Sequence, residues 1–169
     1  VRGQALSIRP HEAEFAAGLH GLIRTPRAVK RFTNVYRLLK APVGSRMTLP
    51  GGGTLEDLAT FEGSKDAPGT FRVPMVLLAL SVGLSEDAAD VFADLRTSAV
   101  QGLGLHSAIG AATERAANDE VETTLKRLPV DLPDDAETLQ RWLPRVARYS
   151  FDLGRAVPLP ISSPALNRA

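Results

Sequence analysis

The sequence predicts an all-α protein, an irregular bundle of about six or seven helices with no significant sheet. The first reason is spacing, because apolar residues recur at steps of three and four along several stretches, as they do in amphipathic helices. The second is composition, since 44% of the residues are hydrophobic but only 5% are aromatic, which favours a core of Leu, Val and Ala. A chain of 169 residues can bury such a core within one domain.

The overall charge gives no bulk attraction to polyanions. Lys and Arg number 20 and Asp and Glu number 19, so any electrostatic function must come from local clustering, and no nucleic-acid partner is expected from composition. Cysteine is absent, which excludes disulfides, thiolate metal sites and cysteine nucleophiles. The absence of cysteine is typical of a cytoplasmic bacterial protein, which is what we expect. No apolar run reaches the roughly 20 residues of a membrane span, so we expect no membrane contact from this segment.

A first helix is predicted from Pro10 to Ile23, after a short irregular start. Proline fits the first helical position, where its missing N–H is not needed. The residues that we expect to face inward are Phe15, Ala16, Leu19, Leu22 and Ile23.

The second helix is predicted to begin at Pro26 and to continue until Pro42. Thr25 can accept hydrogen bonds from the first free amides of this helix. One predicted buried stripe comprises Val29, Phe32, Val35, Tyr36, Leu38 and Leu39. The opposite face is cationic and comprises Arg27, Lys30, Arg31 and Arg37, together with Asn34.

Arg27 lies in the first turn of this helix, where the helix dipole disfavours a cation by a few tenths to about 1 kcal/mol. A nearby anion would offset that cost. Free amides, the positive end of the dipole and a guanidinium together suit a phosphate, which arginine can hold with two parallel hydrogen bonds. The alternative is that the basic face is a solvated surface without a ligand.

Two loops enclose a short helix in the middle of the chain. Residues 41–53, which end in three glycines, and residues 63–69 sustain no periodic pattern. Between them, Thr54 can cap a helix whose first turn contains Glu56 and Asp57.

Residues 71–84 are apolar nearly all round, which predicts a core helix that is buried on several sides, with Pro74 in its first turn. The alternative is a buried strand, which the valines of this stretch favour, whereas its leucines favour helix. Ser85, with Glu86 and Asp87, is predicted to cap the next helix, so that the two helices form a hairpin.

Glycines make the next stretch hard to assign. We predict irregular structure at residues 98–112, with helix resuming near Ser107 and running to about Leu128.

The helical domain is predicted to cover residues 1–154, and residues 155–169 to form an extended or disordered tail.

The last helix is predicted to start at Asp134–Asp135 and to kink at Pro144. Trp142 and Tyr149 are expected to face the core, together with Leu139, Leu143 and Val146. Arg141, Arg145 and Arg148 of this helix have two interpretations. They could clamp the phosphates of a nucleic acid, or they could form a solvated face beside core aromatics.

Other candidate chemistry has little support. His11, His20 and His106 lack the spacing of metal ligands, so no metal site is expected. Three carboxylate pairs fall at predicted helix starts, where the helix dipole explains them; these are Glu56–Asp57, Glu86–Asp87 and Asp134–Asp135. No setting for a catalytic nucleophile is present, so no catalytic residue is expected in this chain alone.

The Thr25-Pro26-Arg27 start, with the basic pair and the apolar run that follow it, carries a family resemblance. Residues 25–39 resemble the segment that follows the nucleotide-binding core in KAP-type P-loop NTPases of bacteria. They resemble, more distantly, the sensor-2 helix in the small helical lid of AAA+ ATPases. Residues 7–23, 72–84 and 141–151 resemble the flanking helices of that family.

The resemblance implies that Arg27 contacts the γ-phosphate of ATP, and that ATP and magnesium are held by a preceding P-loop ATPase domain. Lys30 and Arg31 match the family's basic pair and are further candidates for phosphate contact. The chain itself has no Gly-x-x-x-x-Gly-Lys-Ser/Thr loop, and Gly63-Ser64-Lys65 has the wrong order.

We therefore expect the chain to be the C-terminal helical lid of an AAA+/KAP-like ATPase that couples nucleotide state to contacts with a partner or with a neighbouring subunit of a homo-oligomer. The alternative, from a different functional class, is a stand-alone helical adaptor that binds nucleic acid or an acidic protein through its basic helix.

Overall fold

The computed structural model describes residues 7–44, 56–64 and 68–149. These residues form eight α-helices and no strand, which confirms the all-α prediction. The helices are α1 (Pro10–Gly18), α2 (Pro26–Lys40), α3 (Leu58–Glu62), α4 (Arg72–Gly83), α5 (Ala88–Val100), α6 (Leu105–Glu114), α7 (Asp119–Lys126) and α8 (Ala136–Ala147). A 3-10 turn, Ser85–Asp87, joins α4 to α5.

Helix α4 is the centre of the bundle. Every residue from Val73 to Leu80 is buried, because α1, α2, α5 and α8 all pack around this helix. The prediction of a core helix is therefore confirmed, and the strand alternative is wrong. Pro74 lies in the first turn, where the missing N–H costs no internal hydrogen bond.

The first helix is shorter than predicted, because α1 ends at Gly18 and not at Ile23. The chain then turns, and the amide of Leu22 donates to the carbonyl of Leu19. Both leucines are still buried. Leu22 lies against Gly83 at the end of α4, where a Cβ atom would come within 2.6 Å of the leucine side chain. The turn between α1 and α2 is thus packed on the core helix.

The connection between α5 and α6 is much shorter than the predicted irregular stretch. Helix α5 runs to Val100 and α6 begins at Leu105. Gly102 closes the turn with a φ of 86°, which favours glycine. Gly104 touches Asp134, since a Cβ at this glycine would lie 2.0 Å from the aspartate carbonyl carbon. These glycines therefore serve a tight turn and a close contact.

The predicted long helix from Ser107 to Leu128 is wrong, because α6 and α7 are separate helices. Asn118 starts α7 by accepting a hydrogen bond from the amide of Val121. Asp135 caps α8 in the same way, but Asp134 accepts from the amide and hydroxyl of Ser107 in α6. Asp134 thus fastens α6 to the segment before α8.

The end of the described chain differs from expectation at one aromatic residue. Trp142 is fully buried, as predicted, whereas Tyr149 is 39% exposed. Helix α8 continues through Pro144 to Ala147.

The predicted cap at Thr54 and the predicted tail at residues 155–169 lie outside the described residues. In the part of the chain that is described, no helix combines the length and the apolar character needed to cross a membrane.

Candidate functional site

The N-terminus of α2 is built as the sequence predicts. Thr25 is extended, with φ −120° and ψ 151°, and its hydroxyl oxygen accepts from the amide of Ala28 at 3.1 Å. The amide of Val29 donates to the carbonyl of Thr25. The amide of Arg27 has no partner among the described residues, so one backbone donor remains beside the arginine side chain.

The cationic face of α2 is exposed along its whole length. At 3.6 residues per turn, Arg27, Lys30 and Arg37 lie on the side opposite the buried residues. None of these three forms an ion pair with a described residue. Arg27 and Lys30 are therefore free to bind an external anion.

Arg31 is placed differently from the other basic residues of α2. Its Nη2 atom donates to the backbone carbonyl of Tyr149 at 3.1 Å. Tyr149 follows α8, so this bond joins the basic helix to the end of the last helix. No sequence pattern indicates this contact, because the two residues are 118 positions apart.

The buried stripe of α2 is narrower than predicted. Phe32, Tyr36 and Leu39 are buried, but Leu38 is 55% exposed because it falls on the cationic side. Val29 lies two turns before Tyr36 on the same side, yet it is 49% exposed. The described residues thus leave the first turn of α2 largely uncovered on the side that is buried further along.

The C-terminal end of α2, in contrast, is held by a buried polar cluster. Lys40 and Glu12 are fully buried, and the lysine Nζ lies 2.8 Å from Oε2 of Glu12. The Tyr36 hydroxyl donates to Oε1 of the same carboxylate at 2.6 Å. Burial, and then the negative charge of Glu12, raise the pKa of Tyr36 well above its usual range, so the phenol stays protonated and remains a donor.

This cluster also holds the segment before α1 and helix α3 in place. Lys40 donates to the carbonyl of Ser7 at 3.0 Å, and the amide of Arg9 donates to Glu12 at 2.6 Å. Glu62, in α3, lies 3.1 Å from Arg9 and 3.6 Å from Lys40. The segment before α1 and helices α1, α2 and α3 therefore meet at one set of charges. A helical wheel would have placed Lys40 on the buried side, four residues after Tyr36.

A second polar cluster corrects the interpretation of Glu56. Its two carboxylate oxygens accept from Arg141 Nη1 at 2.9 Å and from the indole nitrogen of Trp142 at 3.0 Å. Glu56 precedes the helix start, where Asp57 is the cap. The helix dipole therefore does not explain Glu56, whose role is to join α3 to α8.

Arg145 lies against Trp142, with its guanidinium carbon 5.5 Å from the centre of the indole ring, and donates to the carbonyl of Arg141 at 2.9 Å. Burial, followed by the charges of Arg141 and Arg148, lowers the pKa of Arg145 to about 10. The side chain is still a cation at neutral pH. A like-charged pair, Arg145 and Arg148, thus stands at the end of α8.

The chemistry that these residues offer is anion binding. Arg27 and Lys30 supply exposed cationic donors, and a free amide lies beside them, which together fit the oxygens of a phosphate. Among the described residues, no group of three or more His, Cys, Asp and Glu could hold a metal ion. His11 instead lies edge-on to Phe71, with the ring centres 5.4 Å apart.

Comparison with known proteins leaves the family open, since no family model, curated protein or solved structure matches this chain.

Proposed function

We propose that this chain is the C-terminal helical lid of a KAP-like P-loop ATPase and that Arg27 contacts the phosphates of ATP bound by a preceding P-loop domain. The observation that carries the proposal is the state of Arg27. It lies exposed and unpaired beside a free amide at the capped, positive end of α2, where a cation without an anionic ligand is disfavoured.

Two features support a closing movement of this helix over a nucleotide. The exposed apolar surface of Val29, in the first turn of α2 on the side away from Arg27, suits burial against another domain. The opposite end of α2 is anchored through Lys40 to Glu12, so the helix can carry Arg27 as part of a rigid body.

Three basic residues of α2 then have different roles at the nucleotide. Arg27 holds phosphate oxygens with its guanidinium and stabilises charge that develops on them. Lys30, one turn further along, supplies a second cation. Arg31 donates a hydrogen bond to the backbone carbonyl of Tyr149, so a movement of α2 is transmitted to the end of α8. The preceding domain binds ATP and magnesium and supplies the hydrolytic chemistry when they are bound.

The test is Arg27→Ala in the full-length parent protein. We expect its ATP hydrolysis to fall by about 10²-fold, as for the loss of one charged contact to a reacting phosphate, because the lost contact acts on the transition state. Arg27→Lys should restore part of the rate, since it keeps the charge but not the fork.

The matched control is Arg37→Ala, which removes an exposed, unpaired arginine near the other end of the same helix. Its hydrolysis should equal that of the wild type. Equal rates for Arg27→Ala and Arg37→Ala would remove Arg27 from the nucleotide site. The 169-residue chain alone should hydrolyse no ATP.

A further inference from the structure

Charge is unevenly distributed along this nearly neutral chain. Residues 15–55 contain no Asp or Glu, but they contain Arg24, Arg27, Lys30, Arg31, Arg37, Lys40 and Arg46. Among those of them that the structure describes, Lys40 alone forms an ion pair. Although the net charge of the whole chain is only +1, residues 15–55 therefore form a strongly cationic region.

The fold joins this region to a second set of cations. The bond from Arg31 to the carbonyl of Tyr149 brings the basic helix to the residue that follows Arg148, and the charge of Arg148 in turn acts on Arg145. We call the combined surface the cationic seam; it comprises Arg27, Lys30 and Arg31 of α2, and Arg145 and Arg148 at the end of α8.

The cationic seam has little internal compensation. Glu56 and Glu137 lie against Arg141, the charge of Glu56 also acts on Arg145, and no described carboxylate forms an ion pair with Arg145 or Arg148. The dipole of α8 favours cations at its C-terminus, but the dipole of α2 disfavours those in its first turns. Like charges held together in this way destabilise the free protein, and a polyanion would relieve the repulsion.

We propose that the cationic seam binds single-stranded nucleic acid, with its arginines on successive phosphates and Tyr149 stacked on a base. Guanidinium groups match phosphate oxygens bidentately, which favours a phosphate chain over the carboxylates of an acidic protein. Tyr149 is a partly exposed aromatic residue whose backbone carbonyl accepts from Arg31, and unpaired bases stack on exposed aromatic rings. This binding does not depend on the ATPase proposal, although Arg27 takes part in both.

The first experiment uses the 169-residue chain and fluorescence anisotropy with a labelled dT 20-mer, a U 20-mer and a 20-bp duplex. We expect the chain to bind both single strands more tightly than the duplex. With four to five phosphates neutralised, affinity should fall by about 50- to 130-fold between 50 mM and 200 mM salt. The absence of binding at 50 mM salt, or tighter binding of the duplex, would overturn the proposal.

Two substitutions separate phosphate contact from stacking. Lys30→Gln combined with Arg148→Gln should weaken binding and make the dependence of affinity on salt shallower. Tyr149→Ala should weaken binding about tenfold without changing the salt dependence, and Tyr149→Phe should restore it. All three side chains are exposed, so the fold should be preserved.

The matched control is Arg96→Gln, which removes an exposed positive charge from α5. If it weakens binding as much as the seam variants do, the site lies elsewhere. In the full-length parent protein, Arg148→Gln should leave ATP hydrolysis unchanged while Arg27→Ala lowers it. Failure of the nucleic-acid proposal is thus distinct from failure of the ATPase proposal.

Discussion

The ammonium group of Lys40 lies 2.8 Å from a carboxylate oxygen of Glu12, and neither side chain is exposed to solvent. Removing two charges from water is costly, and the mutual attraction offsets that cost only when further hydrogen bonds complete the site. Here Tyr36, the amide of Arg9 and the carbonyl of Ser7 complete it. Each member of the cluster is consequently stable in the core only while the others are present.

Lys40→Met should lower the free energy of unfolding by about 3–5 kcal/mol, because it leaves the carboxylate of Glu12 buried without a counter-charge. Urea denaturation at neutral pH measures the loss. The double variant Lys40→Met, Glu12→Gln removes both charges and should recover part of it. A loss below about 1 kcal/mol for the single variant would mean that Glu12 reaches solvent or another cation.

Tyr36 should keep its proton well above the pH at which an unburied tyrosine loses it. Burial and then the charge of Glu12 raise the pKa of Tyr36 in the folded protein above its unfolded value of about 10. The stability from protonated Tyr36 is therefore present below pH 10 and is lost as pH rises beyond it.

Ultraviolet difference spectra of the Tyr149→Phe variant test this, because Tyr36 is then the one tyrosine of the chain. Its phenol should ionise only as the protein unfolds in alkali. Ionisation of Tyr36 while the variant is still folded would contradict its burial.

Glu56→Ala should lower the free energy of unfolding by about 3 kcal/mol, because Arg141 and the indole N–H of Trp142 both lose a largely buried partner. Glu137→Ala is the control, since Glu137 also pairs with Arg141 but its side chain is 80% exposed. We expect that control to change stability by less than about 0.5 kcal/mol. Chemical denaturation of both variants measures the contrast.

Asp135→Ala should cost about 1 kcal/mol at neutral pH, because the carboxylate caps α8 by accepting from the amide and hydroxyl of Thr138. Those hydrogen bonds lower the pKa of Asp135. Its stabilising effect is thus present above the unfolded value of about 3.9 and is lost as pH falls through the folded pKa. The difference between wild type and Asp135→Ala in urea should shrink toward pH 3, while Asp135→Asn, an uncharged cap, should keep most of the stability at pH 7.

Val29→Ser should change the free energy of unfolding by less than about 0.5 kcal/mol, although the sequence assigned Val29 to the core. Leu39→Ala, in the same helix, should cost about 2–5 kcal/mol because it leaves a cavity. Thermal or urea unfolding of the two variants compares them directly. Similar losses for both would place Val29 in a packed interior.

Local chemistry made some features predictable from the sequence. The start of α2 follows from Thr25 and Pro26 alone, and the burial of α4 follows from its apolar side chains on every face. The exposed, cationic state of Arg27 and Lys30 was predictable for the same reason, since helical periodicity fixes which side they occupy.

Features that depend on distant parts of the chain escaped prediction. A glycine in the sequence indicates only that a helix is weakened. Gly104 is needed because a side chain there would collide with the backbone of Asp134, which lies thirty positions further along the chain. The pairing of Lys40 with Glu12 likewise depends on how α1 crosses α2. Periodicity describes one helix at a time and does not report which side chain of another helix will face it.

The contact between Glu56 and Arg141 joins residues 85 positions apart. Helix α3 has five residues, too few to persist alone in water, so it should form when the distant α8 is already in place. Bundles with mainly local contacts fold fastest, and closing so long a loop should make the docking of α3 a late step. Substitutions at Glu56 should accordingly accelerate unfolding far more than they slow folding.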